Sequence, residues 1–368
     1  MRICYLSNSA IPSSNASSIA IVKMCEALSD LNHEVLLITT NVKKINSNLF
    51  NFYNVKSKFY FKRIKFFKKF PLSFNYYLFS LISIFQSIKF KPEIYITRNF
   101  FTCFLLVILK KKIIMEIHHD LETESRIVKF LVKNFKFLKS KHVKKIIAIT
   151  HGVKNEYIKN NYTIDKKILI LPSGSSIREN FEFRFNKKKL NIGYFGSLYK
   201  SRGFDLIINL SKIDSNNNYF IYGDLSKLKN NKLSTKNLKI SDYIAYKNVS
   251  KTLNKMDILL MPYVSSITAA GDVSDITKYT SPLKLFDYLS VGKVIICSNF
   301  EVLKEILKEK QNAIFISNYK NVFSWKMEIL KLSKQPNKEY FMAKNNYLLS
   351  KTFSLKKRAN LILNSINE

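Results

Sequence analysis

The chain has 368 residues, 46% of them apolar, so it is long enough for two domains with full cores and is not typical of a disordered protein. Lysine and arginine outnumber aspartate and glutamate by 61 to 26, which gives a formal net charge of +35. This charge favours an anionic partner, either a membrane surface or a nucleic acid. The abundance of lysine, asparagine, isoleucine and phenylalanine together is also typical of an AT-rich genome, and the charge then needs no partner.

The cysteines lie on apolar segments, and none has CxxC or metal-ligand spacing: they are Cys4, Cys25, Cys103 and Cys297. Such cysteines are typical of reduced thiols in a protein core, so we predict no disulfide framework and a cytosolic protein. The N-terminus begins with a strand pattern and has no signal-peptide pattern, which supports the same location.

Residues 56–70, KSKFYFKRIKFFKKF, combine aromatic residues with a dense run of lysine. A helix over Phe59–Phe70 would collect its apolar side chains on one broad arc, with four lysines mostly opposite: Lys62, Lys65, Lys68 and Lys69. That arrangement is typical of a helix lying on an anionic membrane surface. The same residues also fit a strand followed by a basic helix packed on a sheet.

Residues 71–88 must be tested as a membrane span because they are largely apolar. A span requires ~20 apolar residues, and Asn75, Gln86 and several serines interrupt this run. We therefore predict a packed helix of the first domain. Residues 101–109 are too short to cross a bilayer and suit a crossover helix between parallel strands.

The most informative segment is residues 281–298, SPLKLFDYLSVGKVIICS, which predicts a loop, a helix, a glycine turn and a buried strand. Pro282 suits the first turn of a helix, whose free N–H groups form an anion site that fits a diphosphate. Asp287 follows about one and a half turns later and is placed to accept hydrogen bonds from ribose hydroxyls. Gly292 lets the helix stop before the apolar run at residues 294–297.

This segment resembles the donor-binding segment of the retaining, family-4-type glycosyltransferases, most closely the bacterial polysaccharide and glycolipid subgroup, in which it reads SPLK-LFEY. The resemblance implies an α/β fold of the GT-B type, with two Rossmann-like parallel-sheet domains facing a central cleft. Alternating apolar β-branched runs and helical periodicity agree with two parallel α/β units. Further segments resemble the family in the same order: the N-domain strands at 1–6, 92–98 and 113–119, the strand and glycine loop at 192–204, and the strand before the donor loop at 256–263.

The resemblance also implies the division of the chain. Residues 1–174 are expected to form the acceptor-binding domain, and residues 188–339 the nucleotide-sugar-binding domain. The polar residues between them, 175–189, suit an interdomain connection. The helical tail at 340–368 is expected to pack back on the N-terminal domain, as it does in the family.

Glycosyl transfer must stabilise the negative charge that grows on the departing diphosphate, and cations and backbone N–H groups do this well. By resemblance, Arg202 and Lys284 contact the diphosphate, Asp287 binds the donor, and Gly193 and Gly196 let the backbone approach it. The other predicted donor-binding residues are Ser197, Ser281, Pro282 and Leu283. An ordinary surface charge is the alternative for either cation, and an ordinary tight turn is the alternative for the glycines.

His118 is the N-domain residue that the resemblance carries over, as a group that hydrogen-bonds and orients the donor sugar. A neutral imidazole both donates and accepts hydrogen bonds. His119 is the rival, because adjacent strand residues point to opposite faces, and either residue could be a structural histidine. Glu116 and Asp120 are further candidates for the acceptor site. The predicted catalytic set is His118, Arg202 and Asp287.

The chain departs from the wider family at three places. Many members carry two glutamates separated by seven residues, whereas here Asp287 replaces the second and Tyr279 stands at the position of the first. The sugar contact of that first glutamate is then left to Ser281 or to the loop backbone. Ser197 stands where an arginine often follows the glycine, and residues 12–18, PSSNASS, replace a glycine-rich loop.

The sequence has no DxD metal signature, and the resemblance implies a metal-independent transferase of hexosyl type that needs no cofactor. Its mechanism would be front-face transfer with retention, in which the leaving phosphate helps to deprotonate the acceptor. The predicted function is transfer from a nucleotide sugar to a glycan or lipid-linked acceptor in cell-surface polysaccharide, lipopolysaccharide or glycolipid synthesis. The predicted location is peripheral, on the inner face of the cytoplasmic membrane.

Two other functions stay open at this stage. A nucleotide-sugar epimerase or a phosphorylase shares the two-domain fold, although the SPLKLFDY spelling favours transfer. A basic nucleic-acid-binding protein would account for the charge, but arginine is scarce and no known module is present, so no specific nucleic acid is expected. The base pocket is expected near residues 240–249, and no rule gives the base, the sugar or the acceptor from them.

Overall fold

The computed structural model describes residues 1–41, 48–65, 71–176, 180–183, 188–227, 235–268 and 275–366. The chain divides into two compact units. Unit 1 comprises Met1–Ser176 and Ser354–Glu368, and unit 2 comprises Ile177–Phe353. Each unit is built on one parallel sheet, which confirms the predicted α/β class.

Unit 1 has a seven-stranded sheet in the order β3-β2-β1-β4-β5-β6-β7. Its strands are β1 (Arg2–Ala10), β2 (Glu34–Asn41), β3 (Tyr60–Lys65), β4 (Ile94–Thr97), β5 (Ile113–Ile117), β6 (Val143–Ala148) and β7 (Ile168–Ile170). Its first helices are α1 (Ala16–Ser29), α2 (Leu49–Phe52), α3 (Leu72–Ser87), α4 (Phe100–Ile108), α5 (Arg126–Phe135) and α6 (His151–Lys159). The strands predicted at residues 1–6, 92–98 and 113–119 are confirmed as β1, β4 and β5.

The basic segment at 56–70 differs from the helix considered for it. Residues 60–65 form β3, which pairs in parallel with β2 from Leu36 opposite Tyr60 onward. The helical arrangement is therefore wrong for these residues, and the alternative of a strand is confirmed. Lysine-rich sequence suits this position because β3 is an edge strand, where charge discourages pairing with another chain. Residues 66–70, with Lys68 and Lys69, lie outside the described residues.

The apolar run at residues 71–88 forms helix α3, which packs against α4 and β1. Phe79 and Ile84 of α3 are buried in unit 1. None of the described helices combines the length and the apolar character that a membrane span requires. The prediction of a packed helix is confirmed.

Unit 2 has a six-stranded sheet in the order β10-β9-β8-β11-β12-β13. The strands are β8 (Asn191–Phe195), β9 (Asn218–Tyr222), β10 (Leu238–Ser241), β11 (Ile258–Met261), β12 (Val294–Ser298) and β13 (Ala313–Ile316). The helices are α7 (Phe204–Ile213), α8 (Val249–Leu253), α9 (Leu283–Ser290), α10 (Glu301–Lys304), α11 (Val322–Ser333) and α12 (Pro336–Ser350). Every residue of β11 and β12 is buried, as expected for central strands covered on both faces.

The helical tail predicted over residues 340–368 is shared between the two units. Helix α12 packs against α9 and β12 in unit 2. The last helix, α13 (Leu355–Asn364), belongs to unit 1 and packs against α1. Ser354 begins this return, because it forms a bridge with Ser175 and caps α13 through its side chain.

Candidate active site

The two cations predicted to bind diphosphate lie at the same aromatic ring. Lys284 Nζ is 5.1 Å from the ring centroid of Tyr263, and the guanidinium carbon of Arg202 is 5.4 Å from the same centroid. Lys284 Nζ is also 4.3 Å from the ring centroid of Tyr194. Both tyrosines are fully buried: Tyr194 belongs to β8, and Tyr263 follows the end of β11 by two residues. Cation–π attraction thus holds two positive groups together at the carboxyl end of the unit 2 sheet.

This arrangement changes the pKa of Lys284. Burial disfavours its ammonium form, the neighbouring Arg202 repels it, and together they hold the pKa of Lys284 well below its ordinary value. Lys284 and Arg202 are nevertheless both partly exposed. An anion bound between them would relieve the repulsion, so the pair is suited to a phosphate group.

Helix α9 carries the rest of the predicted donor segment. The helix begins at Leu283, and Pro282 is its N-cap. The proline therefore lies one residue before the first helical turn, in which it was predicted. Lys284 and Asp287 are three residues apart and therefore lie on the same side of the helix. Gly292 has a φ of 59°, in the left-handed region, just after the helix ends. The predicted glycine stop is confirmed.

A buried tyrosine ties α9 to the sheet. The backbone N–H of Phe195, at the end of β8, donates to the hydroxyl of Tyr288 at 2.9 Å. Tyr288 follows Asp287 directly and is fully buried. This contact holds the second turn of α9 beside the end of β8. Tyr194, Tyr263 and Tyr288 were not predicted from the sequence, because one tyrosine in an apolar segment has no signal that separates a supporting role from ordinary packing.

Gly203 fixes the turn that carries Arg202. Its φ is 73°, and a Cβ at this position would lie 1.6 Å from the carbonyl oxygen of Pro262. Only glycine fits so close to another backbone segment. Arg202 directly precedes this turn and donates through Nη2 to the carbonyl oxygen of Thr268.

The two glycines predicted to admit the donor have different surroundings. A Cβ on Gly196 would lie 3.3 Å from Lys284 Nζ, so this glycine borders the cation pair. A Cβ on Gly193 would lie 2.7 Å from the Met256 side chain. Gly193 is therefore required by packing inside β8 and does not border the cations. The remaining predicted donor residues are all partly exposed: Ser197, Ser281, Pro282, Leu283 and Asp287.

In unit 1, the geometry separates His118 from His119. His119 Nδ1 lies 2.7 Å from Thr123 Oγ1 and 2.9 Å from the carbonyl oxygen of Asp120, so its ring is engaged in the local turn. The Asp120 side chain caps the same turn by accepting from the Thr123 N–H. His118, directly after β5, makes neither contact, and its side chain is 27% exposed. We therefore favour His118 as the residue available to a ligand.

The charge state of His118 is set by its surroundings. Burial, followed by the nearby charge of Arg98, lowers the pKa of His118 to about 4, although Glu116 opposes the shift. The imidazole is accordingly neutral at neutral pH. Glu116 is only 1% exposed and takes part in a buried charge cluster with Arg98 and Arg358. Glu116 was a sequence candidate without known partners, because Arg358 follows much later in the chain.

Groups of three or more histidine, cysteine, aspartate or glutamate side chains able to hold a metal ion do not occur among the residues that the structure describes.

The two parallel α/β units agree with a GT-B fold, and the comparison with family models points to the same class of protein. Residues 175–348 match the family model described as "Glycosyl transferases group 1". These residues are therefore those of a group 1 glycosyltransferase domain, and that family is one of retaining hexosyltransferases. The family predicted from the donor segment is confirmed. No curated protein matches the chain in sequence.

Several solved structures share the whole fold at low sequence identity. HepE from Anabaena, solved with UDP, has a TM-score of 0.69 and 11% identity over 100% of both chains. The lipopolysaccharide outer core galactosyltransferase WaaB has a TM-score of 0.66 and 12% identity over 100% of this chain and 99% of its own. WaaG, a glycosyltransferase involved in lipopolysaccharide biosynthesis, has a TM-score of 0.65 and 13% identity, covering 98% of this chain and 99% of its own. The predicted GT-B fold is confirmed.

Proposed function

We propose that this group 1 glycosyltransferase moves a hexose from a nucleoside diphosphate sugar to a glycan or lipid-linked acceptor in cell-surface polysaccharide, lipopolysaccharide or glycolipid synthesis. The observation that carries the donor site is the pairing of Arg202 and Lys284 at Tyr263, beside the first turn of α9. HepE was solved with UDP, and WaaB and WaaG are enzymes of lipopolysaccharide synthesis. These similarities support a uridine nucleotide as the first donor to test and a lipid-linked saccharide as the acceptor class.

Each residue has a role in the proposed reaction. Arg202, Lys284 and the free N–H groups of the first turn of α9 stabilise the charge that develops on the diphosphate. Asp287 accepts hydrogen bonds from the ribose, and neutral His118 hydrogen-bonds the transferred sugar. The bond between the anomeric carbon and the phosphate oxygen breaks while the acceptor oxygen bonds to the same face of that carbon. The acceptor proton passes to the departing phosphate oxygen.

Thermal unfolding with a panel of nucleoside diphosphates tests the donor site. A ligand at about 100 times its Kd stabilises the folded state by about 2.7 kcal/mol, so a binding nucleotide raises the Tm. We expect a shift with UDP that the double variant Arg202→Ala and Lys284→Ala loses. The matched control is Lys304→Ala with Lys308→Ala, two exposed lysines of unit 2, because it also removes two positive charges. A full shift in the double variant, or no shift with any nucleotide in the wild type, would overturn the assignment.

A nucleotide-sugar epimerase is the alternative enzyme, and the group 1 match favours transfer over it. The fate of a labelled sugar distinguishes the two. In a transferase the label leaves the nucleotide and appears on the acceptor or in water. In an epimerase it stays on the nucleotide with altered stereochemistry.

We further propose that unit 1 docks on an anionic membrane surface, where lipid-linked acceptors are found. Helices α3, α4 and α5 carry a continuous line of rings, which we call the aromatic strip. Neighbouring centroids are 4.8 Å apart for Tyr77 and Phe101, 6.4 Å for Phe101 and Phe104, 5.4 Å for Phe104 and Phe135, and 6.2 Å for Phe135 and Phe130. Phe130 and Phe135 are 59% and 58% exposed.

The surroundings of the aromatic strip fit a lipid surface better than water. The same three helices, with the residues that follow them, expose further large apolar side chains: Phe74, Leu81, Phe85, Ile88, Ile108, Leu109 and Ile127. Exposed lysines directly follow α4 and α5, at residues 110–112 and at Lys136. Large exposed apolar surface marks an interaction site, and adjacent lysines select an anionic bilayer. This surface lies on helices, whereas the membrane contact expected from the sequence lay on residues 56–70.

A further inference from the structure

Glu116, on β5, is the centre of a buried charge cluster in unit 1. The Tyr5 hydroxyl donates to Glu116 Oε2 at 2.6 Å, and Arg98 Nε donates to the same oxygen at 2.8 Å. Arg358 Nη1, from α13, lies 2.7 Å from Glu116 Oε1. Arg358 is itself held by the end of β7, because its Nε donates to the carbonyl oxygen of Pro172 at 3.0 Å. The cluster joins β1, β4, β5 and the C-terminal helix.

The cluster keeps Glu116 ionised. Burial alone would raise the pKa of Glu116, but Arg98 and Arg358 outweigh burial and hold that pKa well below its ordinary value. Tyr5 of β1 and Cys25 of α1 are also titratable and lie near Glu116, and burial raises the pKa of each. They are therefore neutral. Two guanidinium groups and one carboxylate give the cluster one excess positive charge, which disfavours protonation of the neighbouring His118.

Glu116 also distinguishes the two nitrogens of the His118 ring. His118 Nε2 is buried and lies 3.9 Å from Glu116 Oε2, beyond hydrogen-bond length but close enough for strong charge–dipole attraction. The exposed part of the side chain consequently belongs to other atoms of the residue. A carboxylate only accepts hydrogen bonds, so it favours the tautomer with the proton on Nε2. Nδ1 is then left with its lone pair.

We propose that Glu116, held by Arg98 and Arg358, is a positioning residue that fixes His118 in the tautomer protonated on Nε2, so that Nδ1 accepts a hydrogen bond from a substrate hydroxyl. The hydroxyl contact rests on the proposed function, whereas the tautomer does not. Helix α13 takes part in this control through Arg358. In this way the last helix of unit 1 influences a residue at the end of a central strand.

Nitrogen-15 NMR of the full chain, labelled at its five histidines, tests the tautomer directly. His118→Gln identifies the His118 signals by their loss. In the wild type we expect the pattern of a neutral ring protonated on Nε2, with no protonation until the pH approaches about 4. In Glu116→Gln we expect a mixture of tautomers. We also expect kcat to fall about tenfold, the effect of one lost hydrogen bond, with the donor KM nearly unchanged.

Arg358 provides a second pair of variants that keeps the test decisive if Glu116→Gln does not fold. Arg358→Met removes the charge and keeps most of the stem, and Arg358→Lys keeps the charge. Because Arg358 is one of the cations that lower the pKa of His118, Arg358→Met should raise that pKa, and Arg358→Lys should leave it near the wild-type value. An Nδ1-protonated His118 in the wild type would overturn the proposal. Variants that lower only the Tm, with the tautomer and pKa of His118 unchanged, would also overturn it. Failure of sugar transfer alone would count against the proposed function and not against the tautomer.

Discussion

Lys284 is expected to change its proton occupancy when the donor binds. Its pKa in the free protein is held well below the ordinary value by burial and by Arg202, and a bound diphosphate favours the ammonium form and raises that pKa. Binding therefore takes up a proton at pH values between the free and the bound pKa. Affinity for UDP should fall as the pH rises through this interval, because the unbound lysine is then neutral.

Calorimetric titration with UDP in buffers of different ionisation enthalpy measures that proton uptake. Lys284→Met, which is close in length and has no charge, should bind more weakly and lose the uptake. Lys304→Met serves as the control. Proton uptake that persists in Lys284→Met would assign the titration to another group.

Asp287 is predicted to bind the ribose. Asp287→Asn weakens a charged hydrogen bond, which contributes about 1.5 to 3 kcal/mol, so kcat/KM for the donor should fall by roughly tenfold to a hundredfold. Asp205→Asn, an exposed residue of α7, is the matched control. The wild type should also prefer UDP over its 2′-deoxy or 3′-deoxy analogue by a larger factor than the variant does. Equal preferences in the two proteins would separate Asp287 from the ribose.

Site residues could be predicted from the sequence where neighbouring residues in the chain form one part of the site. The segment 281–298 contains its loop, cation, helix and glycine stop in consecutive residues, so its helix and stop were predicted to within one residue. The sequence did not separate His118 from His119, because the turn that engages His119 is formed by residues 120–124 only in the folded chain. The pairing of Glu116 with Arg358 depends on the fold of the whole of unit 1, and no pattern of neighbouring residues predicts it.

At the scale of elements, the turn between β8 and α7 depends on two glycines with different functions. In Gly203→Ala the new methyl group meets the Pro262 carbonyl, and the residue must also keep a φ of 73°. We expect unit 2 to lose more than about 1 kcal/mol of stability and Arg202 to be displaced. Urea unfolding, with UDP binding measured on the folded fraction, gives both quantities.

Gly196→Ala is the comparison for that prediction. Its methyl group would lie 3.2 to 3.3 Å from the Tyr194 hydroxyl and Lys284 Nζ; the lysine end can move away, so the cost that remains is the φ of 154° at this residue. UDP binding should therefore weaken more in Gly196→Ala, and stability should fall more in Gly203→Ala. The opposite order would mean that the two glycines have been assigned the wrong roles.

The edge strand β3 illustrates the limit of local pattern at this scale. The residues YFKRIK satisfy a helical arc and a strand about equally well, because the run is short and rich in lysine. The strand is favoured because β2 lies beside these residues and hydrogen-bonds to them through its backbone donors and acceptors. By contrast, β11 and β12 are continuous apolar runs between turn signals, which is why their positions were predicted correctly.

At the scale of the whole molecule, the net charge of +35 and the aromatic strip together predict binding to anionic vesicles. Each lysine near an anionic surface contributes about 1 kcal/mol, and inserted phenylalanines retain part of the binding when salt screens that attraction. Co-sedimentation with phosphatidylglycerol vesicles and with phosphatidylcholine vesicles measures the preference. We expect binding to the anionic vesicles only, weakened but not abolished by high salt.

Two sets of variants locate the docking surface. Phe130→Ser with Phe135→Ser should abolish the binding that persists at high salt, while Lys62→Gln with Lys65→Gln on β3 should have little effect. If only the β3 variant lost binding, the membrane contact would lie on the edge strand β3 and not on the aromatic strip. Equal binding by all proteins, binding to neither vesicle, or a dimer that buries the aromatic strip would contradict docking through it.

The C-terminal return to unit 1 has a consequence for how the protein is made. A ribosome synthesises residues 1–176, then all of unit 2, and only afterwards the residues of α13. Domains generally begin to fold while the chain is still growing, so the nascent unit 1 must hold Glu116 without Arg358 throughout the translation of unit 2. Arg98 and Tyr5 contact only Oε2 of that carboxylate, so Oε1 has no ionic partner until Arg358 arrives and stays in contact with water in the meantime. The interior of unit 1 is therefore completed last, although its strands emerge first, and a chain that stops before residue 354 would carry an unfinished core.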